Sequence, residues 1–385
     1  MPARVAIVGA GYSDFRSTTP GLSYKEMMFE AATRAYADAG ISPRRDAQTF
    51  VTATEDYWEG TSIFDEYVPD QLGAVLKPTQ TIPGDGIQAL LAAAMQIEAG
   101  LFDLAVVEAH SKASNVRHPE RIVAFGLDPI WNRPLDLHPD FVAGLEMRRF
   151  LAESGNTPEQ CARVVVKNRR NALRNPLAAY PAALSAEDVL GAPRHADPLG
   201  QLDCAQYADG GVVLVLASAA RAAGLRQPPV WLRGGAWMTE TSALETRDWA
   251  RAAYASLCAD RLYADAGVTQ PERQIDVAEI DDTFSYKELQ HLEALRLCRP
   301  GEAGNALTAG VFDLGGDLPV NPSGGSLGQG NLLEATGLRR VLEIVLQLRG
   351  EAGAHQVPGA RRGLAMSWRG IPTTTAAAVV LERGE

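Results

Sequence analysis

A layered α/β fold, built twice over, is what the sequence predicts, and three observations predict it. Apolar runs of strand length alternate with helical runs along the chain. That order occurs once before position 226 and again after it. At 385 residues the chain is too long for one ordinary core and suits two similar halves.

Arg4 to Val8 reads as the first strand and runs into Gly9-Ala10-Gly11. A dinucleotide fingerprint would want its third glycine at position 14, where Asp14 stands; the other reading is a strand and a tight turn. Residues 23 to 39 predict an amphipathic helix, with Ser23 as N-cap and Gly40 just past the end. Residues 86 to 99 are apolar nearly all round, which predicts a buried helix, and a strand follows from Leu104 to Glu108. Residues 115 to 200, rich in Arg, Asn and Pro, read as an insertion with helical runs near 140–153 and 157–174. The sheet resumes at Val212 to Leu216.

The second half repeats the order. A strand near 229–235 precedes a helix near 247–266, and an acid-rich strand ends at Glu279-Ile280-Asp281-Asp282. A Gly-rich loop, 314 to 330, opens into a helix near 333–350, and strands at Leu364–Trp368 and Ala376–Leu381 close the chain. The expected division is 1–225, including the insertion 115–200, and 226–385. The repeat lies in element order, not in residue identity.

Composition narrows the function. A net charge of −11 repels phosphate backbones, so no nucleic-acid partner is expected. No apolar stretch approaches a membrane span, and no charged-then-apolar leader precedes the first strand, so a cytoplasmic protein is expected. Cys161, Cys204, Cys258 and Cys298 are scattered without a CxxC pair, which indicates neither a disulfide framework nor a metal site.

Four segments carry a resemblance. They are Pro83-Gly84-Asp85-Gly86-Ile87-Gln88-Ala89, Leu202-Asp203-Cys204 leading to Asp209-Gly210-Gly211, Glu279-Ile280-Asp281-Asp282-Thr283-Phe284, and Asn321-Pro322-Ser323-Gly324-Gly325 followed by Gly330-Asn331-Leu332 and Ala335-Thr336-Gly337. In order and spacing they resemble the thiolase superfamily, most closely its sterol-carrier-protein-x type. The resemblance implies a duplicated thiolase fold: two mixed five-stranded sheets with buried helices, layered αβαβα. It also implies an acyl-CoA substrate and an oligomer, with an interface involving the strand near 104–110 as an open sheet edge.

The departures matter more. The family's nucleophile turn reads Cys-x-x-Gly-x-x-Ala, and Pro83 stands where the thiolate should be. The histidine of Gly-His-Pro is Asn331, which takes no proton near neutral pH. The histidine of Glu-x-His-Asp is Asp281, and Met366 and Ser367 stand where a second Cys or a His is usual.

Several residues remain as candidates. Asp281 and Asp282 are adjacent carboxylates suited to acid–base work, although neighbours on a strand face opposite ways. Asn321, Gly324 and Gly325 keep a loop that can approach a coenzyme A thioester closely, or that simply packs as a turn. Asp85 reads as a helix cap and His110 as a satisfied buried histidine. Lys167, Arg169, Arg170 and Arg174 form either a solvated face or a coenzyme A contact.

Three functions are compatible with this pattern. The first is a nucleophile-free subunit of a multi-subunit acyl-CoA complex in lipid metabolism. Its partner would be a second thiolase-like chain or a small OB-fold protein. The second is a CoA-ester retro-aldolase using carboxylate chemistry. The third is ordinary thiolase or ketosynthase activity with another nucleophile.

Overall fold

The computed structural model describes residues 4–55, 64–371 and 374–384. Among them, nine strands form one continuous sheet. In chain order these are β1 (Val5–Tyr12), β2 (Thr49–Ala53), β3 (Thr79–Ile82), β4 (Leu104–Lys112), β5 (Asp209–Ser218), β6 (Val230–Thr239), β7 (Val277–Glu279), β8 (Arg362–Arg369) and β9 (Thr375–Arg383). Their spatial order is β3-β2-β4-β5-β1-β6-β9-β8-β7.

Each half repeats one path. A first strand leads to an outer helix, α1 (Tyr24–Ala39) after β1 in one half. A second strand follows, then a buried helix, α2 (Gly86–Glu98), and an antiparallel pair. The insertion supplies α3 (Pro139–Ser154) and α4 (Pro158–Ala172). The second half runs through α5 (Ala253–Ala266) after β6, α6 (Ser285–Ala294) after β7, and the buried α7 (Thr336–Arg349), ending in the pair β8 and β9.

The sheet departs from the expected pair of five-stranded sheets. The first strands of the two halves meet antiparallel at Ala6–Trp231 and Ile7–Val230, which makes the sheet continuous. The second half has four strands, and its fifth place is held by one bridge, Val320 beside Ala278. Pro319 and Pro322 flank Val320, and a proline has no N–H to extend a ladder.

Alternation along the strands builds the expected layers. Val5 and Ile7 face a central core with Leu90 and Leu91 of α2 and Val341 and Val345 of α7; Ala365 and Val379 supply the opposite wall. Ala6 and Val8 face outward under α1. Leu364 and Met366 face the other outer layer, with α5 and α6. Ile87, Leu90, Leu91 and Ile97 of α2 are at most 5% exposed, and each such side chain contributes about 1.5–3 kcal/mol by burial.

Local signals start and stop these helices. Ser23 and Glu26 form a reciprocal capping box on α1, and Gly40 ends it with φ 71°. Gly9-Ala10-Gly11 lies inside β1 rather than in a phosphate-binding turn.

Two further expectations are corrected. The strand near 104–110 is no open edge: β4 is buried throughout between β2 and β5, so it offers no free ladder to a partner. Nor is α4 a solvated face along Lys167 and Arg169. Lys167 turns inward to Glu288 at 2.9 Å, and Arg169 donates to Tyr180 O at 2.9 Å. Arg170 and Arg174 are exposed. No helix among the described residues is long and apolar enough to cross a membrane.

Candidate active site

The N-termini of the two buried helices converge, and Asp85 sits between them. It caps α2: its Oδ1 accepts from Ile87 N at 2.8 Å, and Gln88 Oε1 accepts from Asp85 N at 2.9 Å. Its Oδ2 accepts from Gly337 N at 3.1 Å, in the first turn of α7, and from Ser367 Oγ of β8 at 2.7 Å. A Cβ on Gly337 would lie 1.8 Å from the carboxylate, so only glycine permits this approach. Burial pushes the Asp85 carboxyl up to about 6, against the lowering effect of the Ile87 N–H and the Ser367 hydroxyl.

A charged network continues inward from Ser367. Arg340 Nη1 donates to Ser367 Oγ at 3.3 Å and to Asp281 Oδ2 at 2.7 Å, and its Nη2 lies 3.4 Å from Asp282 Oδ1. All three charged groups are fully buried. Burial alone would raise Asp281, but the Arg340 guanidinium and His291 hold it below its ordinary value.

A cavity of about 380 Å³ opens at this network. Asp85, Asp281, Asn331, Tyr207 and Arg369 line its polar side, and Val123, Phe284, Trp368 and Ile371 its apolar side. Asn331 is fixed by its side-chain oxygen, which accepts from Leu333 N at 2.9 Å and Thr336 Oγ1 at 3.2 Å. Its Nδ2 has no hydrogen-bond partner among the described residues. The Pro83 carbonyl accepts from Arg369 Nη1 at 3.1 Å, and burial lowers that guanidinium to about 10.

The structure separates the candidates named from sequence. Asp281 reaches the cavity and Asp282 does not: Asp282 accepts from Ser326 N at 2.6 Å, Leu327 N at 3.1 Å and Asn168 Nδ2 at 2.8 Å. Both lie past the end of β7 rather than on it. Asn321, Gly324 and Gly325 are buried and are not among the cavity's lining residues. Asn321 joins Ile280 N to Glu288, and a Cβ on Gly325, at φ 58°, would lie 2.1 Å from Asp282 Oδ2.

Asp85, which lines the cavity, and Ser367 and Arg340 behind it are the groups whose joint role the sequence left unread. The signal for Arg340 was available: Arg339-Arg340 stands between Leu338 and the apolar residues Val341 and Leu342, and a buried charge demands partners. The signal for Asp85 was hidden by a correct one, since it is also a cap. His110 is buried, with its Nδ1 2.9 Å from Glu108 Oε1. None of the four cysteines lines the cavity, and burial pushes the Cys258 thiol up to about 12.

Comparison with known proteins gives one pattern. A family model described as "Thiolase C-terminal domain-like" matches residues 235–383. The chain is 31% identical over 377 residues to the acetyl-CoA acetyltransferase of Methanothermobacter thermautotrophicus, across 97% of this chain and 98% of that protein. It is 30% identical over 398 residues to the 17-hydroxy-3-oxo-4-pregnene-20-carboxyl-CoA lyase of Mycobacterium tuberculosis, across 97% and 98%. The solved structure of the Ltp2-ChsH2(DUF35) aldolase superposes with a TM-score of 0.85 at 28% identity, covering 99% of this chain and 98% of that one.

Proposed function

This chain belongs to the thiolase superfamily, in its sterol-carrier-protein-x-type branch, and from that premise we propose that it cleaves a carbon–carbon bond of a β-hydroxyacyl-CoA by a retro-aldol step, without an acyl-enzyme. One observation carries this reading. The turn that would hold a nucleophile holds Pro83, while two residues on stands a buried carboxyl raised to about 6. A group with that affinity is poised as a base near neutral pH.

In the proposed step the Asp85 carboxylate takes the proton of the substrate's β-hydroxyl. The carbon–carbon bond breaks, its electron pair moves to the α-carbon, and a carbonyl product leaves. The remaining thioester enolate carries its charge on oxygen, where the Asn331 Nδ2 amide donates. Protonated Asp85 returns its proton to the α-carbon and yields the shortened acyl-CoA. Atoms and charge balance without any external oxidant. Asn331 thus offers a fixed donor where the family has a titrating histidine, and an aldol cleavage that forms no acyl-enzyme can run on such a donor.

The lyase and aldolase relatives support this chemistry, and the hydroxyl and CoA ester in one relative's name support the substrate class. The two-component aldolase supports assembly with a second chain, such as a small OB-fold protein or another thiolase-like chain. Asp281 is assigned an electrostatic role through Arg340. Asn321, Gly324 and Gly325 are assigned to holding Glu288 and Asp282 in place behind the cavity. Action in the cytoplasm remains part of the proposal.

A ligand-holding, non-catalytic subunit is the second reading. It is favoured by the pairing of both Asp281 and Asp282 with Arg340, which spends the two acids that the sequence offered as bases. The deciding experiment incubates the purified chain with a β-hydroxyacyl-CoA, alone and with its co-expressed partner, and follows the carbonyl product and the shortened CoA ester. Cleavage that Asp85→Asn abolishes is the expected result. Cleavage by the complex that survives Asp85→Asn would overturn it.

A further inference from the structure

We propose that Asp140, His195 and Cys204 form a binding site for a zinc-class divalent cation beside the cavity. Three segments remote in sequence supply the donors. Asp140 lies in the first turn of α3, His195 in the hairpin strand Arg194–Ala196, and Cys204 directly after the turn Gln201–Asp203. The donor atoms all lie within 4.8 Å of one another. No spacing rule in the sequence brings them together.

The donor set has the right chemistry. A carboxylate oxygen, an imidazole nitrogen and a thiolate sulfur are the ligands that zinc takes, and three protein ligands leave a fourth position for water or a substrate oxygen. His195 Nδ1 is 2.7 Å from Asp140 Oδ2, and the Cys204 thiol makes only a long contact, 3.6 Å to Gly200 O. With bonds of about 2.0–2.3 Å, tetrahedral ligand atoms stand roughly 3.3–3.8 Å apart. Side-chain rotation of about 1 Å therefore reaches that geometry. Rotation is available, because the Asp140 and His195 side chains are 25% and 37% exposed. Binding expels the thiol proton as the sulfur bonds the cation.

The backbones beneath the donors are tied down, which distinguishes the site from a chance surface cluster. The hairpin is held to α3 by Arg148, whose Nη2 donates to Asp197 O at 3.1 Å. Cys204 is bridged to Phe284, and Ala205 N donates to Thr283 O at 2.8 Å. His138, which caps α3, keeps its Nδ1 3.7 Å from Asp140 Oδ2 and places a second imidazole at the site. Asp140 also lines the cavity that holds Asp85 and Asn331, so the cation would stand at its wall. This inference goes beyond the carbon–carbon cleavage reading and does not rest on it.

The test titrates the metal-stripped full chain with Co²⁺ and then with competing Zn²⁺. The expected result is one Co²⁺ per chain with a thiolate-to-cobalt charge-transfer band in the near ultraviolet, bleached by Zn²⁺. Cys204→Ser should lose the band, and His195→Ala should weaken binding by at least about tenfold. Circular dichroism checks that each variant is folded; if Cys204→Ser is not, the exposed His195→Ala decides alone. Binding without a thiolate band, no stoichiometric binding, or unchanged affinity in His195→Ala would each overturn the site.

Discussion

Replacing Asp85 by Asn separates its two roles, because chemistry and stability should respond differently. The carboxyl's rise from 3.8 to about 6 means that its surroundings, burial net of the hydrogen bonds it accepts, disfavour its charged form by about 3 kcal/mol at pH well above 6. The amide removes that penalty. It keeps one acceptor oxygen, so at least one of the donors Ile87 N, Gly337 N and Ser367 Oγ loses its partner, a cost of about 1–3 kcal/mol for a buried group left unsatisfied. The two effects nearly cancel, so urea unfolding at neutral pH should shift little. The kcat for cleavage should fall by about 10²–10⁴, the usual consequence of removing a general base. In the wild type kcat/KM should rise with pH through about 6, and that limb should vanish in the variant. Stability carries its own signature. Between about pH 4 and 6 the folded state holds the Asp85 proton more tightly than the unfolded chain. Stability contributed by this group is therefore greatest at the acid end and declines as pH rises across that window; Asp85→Asn should flatten this contribution. Steady-state kinetics and urea titrations at matched pH measure both. A variant that keeps kcat within about threefold, with its acid limb intact, would show that Asp85 only caps α2 and refute the assignment.

Other outcomes follow from the same geometry. Asn331→Asp keeps the oxygen that accepts from Leu333 N and Thr336 Oγ1 but replaces the Nδ2 donor with a second acceptor; kcat should fall by about 10²–10³ while the thermal midpoint moves little. Arg340→Met leaves Asp281 and Asp282 buried without their cation and should cost about 3–5 kcal/mol in urea unfolding; a loss under about 1 kcal/mol would mean that the pair is not held as described. Gly325→Ala drives a Cβ against the Asp282 carboxylate at positive φ and should destabilise by at least about 1–3 kcal/mol. Pro83→Cys places a thiol in the turn before α2, but with Asn331 in place of a histidine it should yield no thiolysis of acetoacetyl-CoA in a coenzyme A release assay.

The sequence by itself determined the layered fold, because its evidence is local. Strand and helix periods, the Ser23 cap, the all-apolar face of residues 86–99 and the doubled element order are each read within a few residues, and they locate most of the described core. It also determined that a proline stands at position 83 and an asparagine at position 331, neither of which offers a thiolate or a titrating imidazole. It passed over β2, β3 and α6, which are short or polar enough to hide in a single chain's pattern. What only the tertiary structure decided depends on contacts between distant segments. The β1–β6 ladder that joins the halves into one sheet rests on two residue pairs more than 220 positions apart. The difference between Asp281 and Asp282, neighbours of identical chemistry, is set by which one faces the cavity and which one turns to Ser326. Asp85 becomes more than a cap only because Gly337 and Ser367, over 250 residues away, close around it and exclude water. Desolvation is a property of the packed environment and not of a residue type, so a carboxyl that the fold pushes well above its ordinary value is one whose own sequence neighbourhood describes it only as a cap.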